Sequence, residues 1–443
     1  MGKYRTRELT QRVRYALLAG VAGAFLIPQV AAAAPTGHHD ETVGVHVAGE
    51  GTATTTITAT APNNVIKWAD YSVKQGETVT YDANNYLNIV TGGNTSAING
   101  SITGGGDIYL VNPNGVIFGK TASVNVGNLY VSTQEKSTLN QEAFKGSGAS
   151  PLSTTVTDVG KADVVNMGSI TANKVEVYGR SIRILDAANV HAATSPVILH
   201  IDEATNGGYA HIGYQSGHVP STSDYEIHKK FTPQPPSPSA PPPPPEIVVA
   251  AATAADNYYQ LVSTPTQFQN INNNPSGNYM LANDIDFTDS TTHAAGEITP
   301  IGGNTIGPTT YAAYSGKFDG NFFRVQNFKV TDANLQRSGL FGALDHAEVY
   351  NLGVTGATVQ GSVVNGLEYA GGLAAVANNG TKLTNVYVRD TTVSGNDDRH
   401  GGLVGYTADT TIDSAYTKVA VATGGGFVGE TAGGTVITNT YSE

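Results

Sequence analysis

Four stretches in the last quarter of the chain begin alike. They read "GLFGALDHAEVYNLGV" from Gly339, "GLAAVANNGTKLTNVYV" from Gly372, "GLVGYTADTTIDSAYT" from Gly402 and "GFVGETAGGTVITNTYS" from Gly426, with spacings of 33, 30 and 24 residues. A unit this short cannot bury an apolar face alone, whereas stacked units build one continuous core. Inside each unit a second strand follows the anchor by 12 or 13 residues, with Asn351, Asn385, Ser414 and Asn439 at the matching positions. Two short strands per unit with Gly at the corners fit the coils of a parallel β-helix, each strand pairing with its equivalent one coil on. Leu340, Leu373, Leu403 and Phe427 are then expected to stack as an internal column. A leucine-rich horseshoe is the competing solenoid, but its L-x-x-L-x-L frame is absent.

The rest of the chain agrees with an all-β molecule. Charged residues make up 14% and Gly contributes 52 of 443 residues, which favours short strands and turns over helices. From Thr42 to His228 the sequence reads as strands with Gly/Asn turns. Within it, "DIYLVNPNGVIFG" places two β-prone runs around Asn112-Pro113-Asn114-Gly115. Asn at the first turn position can hydrogen-bond the backbone two residues on, Pro presets φ at the second, and Gly suits the fourth. The run "TPQPPSPSAPPPPP" has nine prolines in 14 residues. It is expected to be a polyproline-II spacer of about 43 Å between domains. After it, Thr264 caps a short expected helix with Pro265 in the first turn and Phe268 and Ile271 on one side.

The N-terminus reads as an export signal, residues 1–34. A basic region with Lys3, Arg5, Arg7, Arg12 and Arg14 precedes the apolar "YALLAGVAGAFLIPQV" and the small residues Ala31 to Ala34. A permanent membrane anchor is the lesser reading of this run. These 34 residues carry five basic groups and one acidic, so the remainder has a net charge of −16 where the whole chain has −12. That acidity argues against nucleic acid as a partner. The absence of Cys fits either a large β core without staples or a chain kept unlocked for passage through an outer membrane.

Few residues suggest chemistry. Asp284 and Asp286 stand two apart on one strand face, and Asp397, Asp398, Arg399 and His400 form a second polar group. Carboxylate pairs serve polysaccharide hydrolysis in other β-helices, but solvated corner residues explain both sets, and no catalytic residue is assigned. The His residues show no zinc spacing, and His38 and His39 are expected to be unstructured. No metal or cofactor is expected. No Gly-x-Ser-x-Gly, P-loop or dinucleotide fingerprint appears.

Residues 42–231 resemble the secretion domain of two-partner secretion exoproteins of the filamentous haemagglutinin type. The resemblance rests on "NNVIKWADYSVKQGETVTYD", "YLNIVTGGNTSAINGSI", "DIYLVNPNGVIFGKTASVNVGNLYVST" and "VVNMGSITANKVEVYGRSIRI", in that order. The repeats resemble the GLUG repeat of bacterial surface proteins. The resemblance implies a right-handed parallel β-helix over residues 35–231, a Pro-rich linker at 232–246 and a second β-solenoid over 247–443. It implies a non-enzymatic exoprotein that passes the Sec machinery and then a dedicated outer-membrane β-barrel transporter. The chain would be secreted or held at the surface of a Gram-negative cell, as an adhesin for a host or neighbouring-cell glycan or protein. Asn112, Pro113, Asn114 and Gly115 would be read by the transporter. Trp68 and Asn88 are second choices that serve equally as core and corner residues. A β-helical polysaccharide-binding or polysaccharide-degrading protein, or a contact-dependent toxin passenger truncated where "TNTYSE" stops inside a repeat, are the alternatives.

Overall fold

The inner coils of the N-terminal half lay down three short strands each, one on each of three faces, before stepping to the next. The computed structural model describes residues 35–153, 160–194, 196–202, 208–221, 223–231, 246–251, 257–288, 296–306, 309–364, 366–396 and 399–443. It divides into a first unit that ends at Tyr259 and a second that begins at Gln260. The expected export signal and the Pro-rich run 232–245 lie outside the described residues.

In the first unit one face is built from the parallel strands Asn63–Trp68, Asn85–Val90, Asp107–Val111, Asn128–Ser132, Lys174–Gly179, Val197–Ile201 and Tyr225–Phe231. Asn63 lies opposite Asn85, and Asn128 opposite Asp107, so these coils take 21 or 22 residues, while the step from Val197 to Tyr225 takes 28. The two other faces are strands of three to six residues, such as Val116–Phe118 and Ser123–Asn125. Short β-branched runs between Gly and Asn corners give this geometry, because each run fills one face and the corner residue turns the chain. Their inward side chains form one continuous apolar core, including Ile66, Trp68, Ile108, Leu110, Phe118, Val131, Val177 and Leu199. This is the parallel β-helix the sequence implied.

Three features were not foreseen. First, order begins before Thr42, and the opening strands pair antiparallel instead of forming coils. Strand His39–Asp40 pairs antiparallel with Asn63–Trp68, and Val45–Ala48 pairs antiparallel with Thr54–Ala59. His38, expected to be unstructured, instead contacts the Glu50 carboxylate, which also accepts the Gly37 and His38 N–H groups. Second, the chain leaves the stack after Ser132 and returns at Val164, and carries the helix Gln141–Ser147 between them. Asn140 caps it by accepting from the Ala143 N–H at 3.1 Å. Leu139, Phe144 and Leu152 cover the outside of the sheet over Val65, Leu87, Ile89 and Tyr109, a second apolar layer. That helix was missed because seven residues around Gly146 give no helical period to read.

Third, the Pro-rich run does not separate its ends. Phe231 and Glu246 lie opposite each other in an antiparallel pair that extends to Glu226 and Ala251. A spacer holding its ends about 43 Å apart is excluded, since paired strands sit about 5 Å apart. Glu246–Ala251 therefore adds the last strand to the first unit, not the first strand to the second.

The second unit is a stack of larger coils. Phe341–Asp345, Ala374–Asn378, Val404–Ala408 and Val428–Ala432 pair in parallel, as do Glu348–Tyr350, Lys382–Thr384, Thr411–Asp413 and Val436–Thr438. Each of the inner coils adds further strands, such as Arg337–Ser338 with Tyr369–Gly371, so two strands per unit undercounts them. The missed strands are two or three residues long, too short to display alternation. Leu340, Leu373 and Leu403 are fully buried, and their backbones link by N–H to carbonyl bonds of 2.9, 2.9 and 2.8 Å from Phe341 through Phe427. A buried leucine of this kind contributes roughly 1.5–3 kcal/mol. Asn351, Asn385, Ser414 and Asn439, the aligned positions, all adopt left-handed φ of 50–56°. The expected helix is present as Pro265–Gln269, with the Thr264 hydroxyl accepting from the Gln267 N–H at 3.2 Å.

Candidate functional site: the Asn112 turn

The strand Asp107–Val111 ends at a corner that its neighbours grip from both sides. Asn112 is fully buried and its Oδ1 accepts from the Asn114 N–H at 2.9 Å, while its carbonyl accepts from the Gly115 N–H at 3.0 Å. Those two bonds close the turn. Asn112 Nδ2 donates back to the Asn94 carbonyl and to Ser96 Oγ at 2.9 and 3.0 Å, tying the turn to the preceding coil. Thr95 Oγ1 donates to the Asn114 carbonyl at 2.8 Å, and Asn114 Nδ2 donates to the Gly92 carbonyl at 2.9 Å.

On the other side lies the coil that follows the helical excursion. The Val116 N–H donates to the Asp163 carbonyl at 3.3 Å. Asp163 in turn accepts both arms of Arg180 at 2.8 Å, a forked pair that holds the guanidinium more strongly protonated than usual. Gly115 has φ of +104°, and a Cβ there would sit 3.1 Å from the Asp163 carbonyl oxygen. Only glycine satisfies both demands without strain. Asn112 and Gly115 are thus the frame of the turn. Pro113 is half-buried and Asn114 is exposed. These two are the accessible residues of the corner.

Trp68 and Asn88 do not lie on this surface. Both are fully buried, and both sit on strands and not at corners. Trp68 Nε1 donates to Asn88 Oδ1 at 2.9 Å, the Tyr81 hydroxyl donates to the same oxygen at 2.9 Å, and Asn88 Nδ2 donates to the Tyr109 carbonyl at 3.2 Å. Tyr71 adds an edge contact to Trp68 at 5.6 Å and a hydroxyl contact to Tyr81 at 2.7 Å. Asn88 is a polar group inside an apolar core, and every donor and acceptor it uses is matched within that core.

The residues considered for catalysis are otherwise engaged. Asp284 accepts from Arg324 N and Nε at 3.1 and 3.0 Å. Asp286 accepts from Thr288 N, Gln326 Nε2 and Asn327 Nδ2 at 2.8–2.9 Å. Burial works to raise the Asp286 pKa, but these donors hold it below the ordinary carboxylate value. His400 is fully buried and not a solvated loop residue: its Nε2 is 3.1 Å from Glu368 Oε1 and its Nδ1 is 2.9 Å from Thr423 Oγ1. Asp397 and Asp398 lie outside the described residues.

Compared with known families, residues 30–222 match the TPS (two-partner secretion) secretion domain. That stretch is similar to a TPS secretion domain and makes up somewhat less than half of the chain. Two curated relatives from Haemophilus influenzae, each named a heme/hemopexin-binding protein, are 40% identical over 84 residues and 34% identical over 82. Each stretch is 18% of this chain and 9% of the relative, so the chain matches only a small part of either protein. A solved structure, the secretion domain of HMW1 from Haemophilus influenzae, aligns over 90% of this chain and all of its own, at 13% identity and a TM-score of 0.30. The matched stretch contains both the Asn112 turn and the Trp68–Asn88 network, one at a surface corner and the other sealed inside. The grip on the turn was only partly legible: the Thr91-to-Ser96 corner lies next to it in the quoted pattern, whereas Asp163 and Arg180 are brought there from beyond the excursion.

Proposed function

We propose that the chain is a two-partner-secreted exoprotein whose first unit is read by an outer-membrane β-barrel transporter after Sec export. The observation that carries the proposal is the match of residues 30–222 to the TPS secretion domain on a parallel β-helix. In this reading the exposed Asn114 and half-buried Pro113 form the contact, and Asn112 and Gly115 hold them in place. Trp68 and Asn88 act through the integrity of the core. The second unit is GLUG-type repeat structure, and its work outside the cell is adhesive and non-enzymatic. The ordered coils give a direction to export: each coil that emerges has the previous one to pair with, so folding outside opposes return.

Secretion tests this. The chain is expressed with and without a cognate transporter, as wild type, Asn114→Ala and Asn112→Ala, and the protein in the medium is quantified. Transporter-dependent release that falls with Asn114→Ala, while that variant keeps the wild-type unfolding temperature, supports the reading. Equal release of wild type and Asn114→Ala makes the turn a structural corner only, and release without transporter removes the proposal altogether.

A further inference from the structure

We infer that the second unit carries a binding site for an acidic polysaccharide, built on Arg337, Tyr369 and Arg399. The inference deepens the adhesive reading above and rests on it for the ligand's setting, though not for its chemistry. Arg337 lies opposite Tyr369 across one coil step, and the Ala370 N–H donates to the Arg399 carbonyl at 3.2 Å across the next. Their neighbours Ser338, Ala370 and His400 are fully buried. Side chains alternate along a strand, so Arg337, Tyr369 and Arg399 occupy the opposite, outer side. They form a guanidinium, phenol, guanidinium column over three coils. Coil steps of about 4.8 Å set the two guanidinium groups' backbones roughly 10 Å apart, with the ring between them.

The contacts fit recognition of an anion. The Arg399 guanidinium carbon stands 5.3 Å from the Tyr369 ring centroid, and Tyr406 meets the same ring edge-on at 5.9 Å. Arg337 Nη1 donates to the Gly303 carbonyl at 2.6 Å, which fixes the head, while Nε is buried with no partner. Among the described residues no carboxylate pairs with Arg337. The second unit's other arginines each have one: Arg324 with Asp284, Arg389 with Asp390 and Arg399 with Glu430. In a chain this acidic, a fixed guanidinium without a carboxylate is the exception.

A guanidinium presents a planar fork that matches two oxygens of a carboxylate or a sulfate. The Tyr369 ring offers a flat apolar face on which the C–H side of a sugar ring can rest. A guanidinium on either side of that ring suits an extended chain with repeated acidic groups better than a single small anion. Glu430, half exposed, lies 3.3 Å from Arg399. Such an exposed pair is weak, so a ligand anion can displace it.

The test uses the purified full chain on immobilised heparin (sulfated), polygalacturonate (carboxylated) and dextran (neutral) at low and physiological salt. The expected result is salt-sensitive binding to one or both acidic polymers and none to dextran. Arg337→Gln with Arg399→Gln is expected to weaken binding about tenfold or more. Arg337→Lys with Arg399→Lys, which keeps the charge and removes the fork, is expected to weaken it nearly as much. Glu430→Gln is expected to strengthen it a few-fold by removing a competing carboxylate. Full binding by the double lysine variant reduces the effect to unspecific charge attraction and overturns the site. So does binding to dextran, no binding to either acidic polymer, or equal binding by all variants. The outcome is independent of the export test: a chain that is exported but binds no polymer lacks this site, and one that binds but needs no transporter loses the secretion reading alone.

Discussion

The two units build the same kind of stack with different corners. In the first unit every described residue with a positive φ is a glycine, among them Gly44, Gly76, Gly115, Gly148 and Gly160. In the second unit eleven non-glycine residues adopt that conformation, from Asn321 through Asn439. A non-glycine residue there costs on the order of 1 kcal/mol. The second unit gains something in return that glycine cannot supply. Asn385 Nδ2 donates to Asn351 Oδ1 at 2.8 Å, Asn351 Nδ2 to Asp319 Oδ1 at 3.1 Å, and Asn439 Nδ2 to Asp413 Oδ1 at 2.7 Å. Its corners are ladders that bind coil to coil. The first unit's positive-φ corners carry no side chains, so its coil-to-coil side-chain bonds come from the residues beside them, such as Asn112 to Asn94 and Ser96 and Asn128 Nδ2 to Asp107 Oδ1 at 2.7 Å.

That difference is open to direct disruption, with unfolding followed in the full chain by hydrogen exchange of peptides from each unit. The largest effect is expected for Trp68→Ala, which opens a cavity and leaves Asn88 without one donor. Loss of about 3–5 kcal/mol should appear in first-unit peptides only. An equal loss in the repeat peptides would mean that the units unfold as one.

Acid comes next. Glu176 is held at a pKa of about 2: burial works to raise it, but bonds from His200, Lys174 and Tyr178 outweigh that. Because its folded pKa is depressed, its stabilising contribution is complete above the unfolded value of 4.5 and is lost as pH falls towards 2. A loss on the order of 2–3 kcal/mol across that window is expected in the first unit. His200 shifts the onset upward: burial holds its pKa below 6.5, so the unfolded chain takes up its proton first as pH drops beneath that value. Glu176→Gln should flatten the dependence below pH 4.5, and an unchanged slope in that variant would assign acid sensitivity elsewhere.

A smaller effect is expected at the glycine corners. Gly115→Ala combines a strained φ with a 3.1 Å approach to the Asp163 carbonyl, and should cost about 1–3 kcal/mol by equilibrium denaturation. The smallest belongs to the asparagine corners. Asn385→Gly relieves backbone strain but breaks the link to Asn351, so the net change should fall within about 1 kcal/mol. Asn385→Ala should cost more than Asn385→Gly, because it keeps the strain and loses the link. The reverse order would show that backbone strain at this corner is of no account, and a clear gain in stability for Asn385→Gly would show that the ladder is.

The coils themselves were legible because period and composition carry them: the anchors at Gly339, Gly372, Gly402 and Gly426 predicted a column whose members Leu340, Leu373 and Leu403 are in fact buried. Their uneven spacing was legible too, though not its cause, which is the differing length of the chain between Gln360 and Tyr369 and between Ser394 and His400. The Asn112 turn could be read as a turn because its four residues act locally. Its grip by Asp163 and Arg180 could not, since a 31-residue departure from the stack, between Ser132 and Val164, hides which coil comes next. His400 read as a loop residue because its burial depends on Glu368, supplied by the previous coil. The Pro-rich run misled for the opposite reason: proline fixes local φ, and nothing local says where the two ends must meet.

The antiparallel strands that bracket the first unit's main sheet have a kinetic consequence. A stack of parallel strands is a template with two open faces, each able to recruit the next strand it meets. Here His39–Asp40 runs against the first coil and Glu246–Ala251 against the last. Among the described residues the template is therefore finite: once Glu246–Ala251 has paired, this sheet has no further strand to wait for and no parallel edge with which to capture a neighbour.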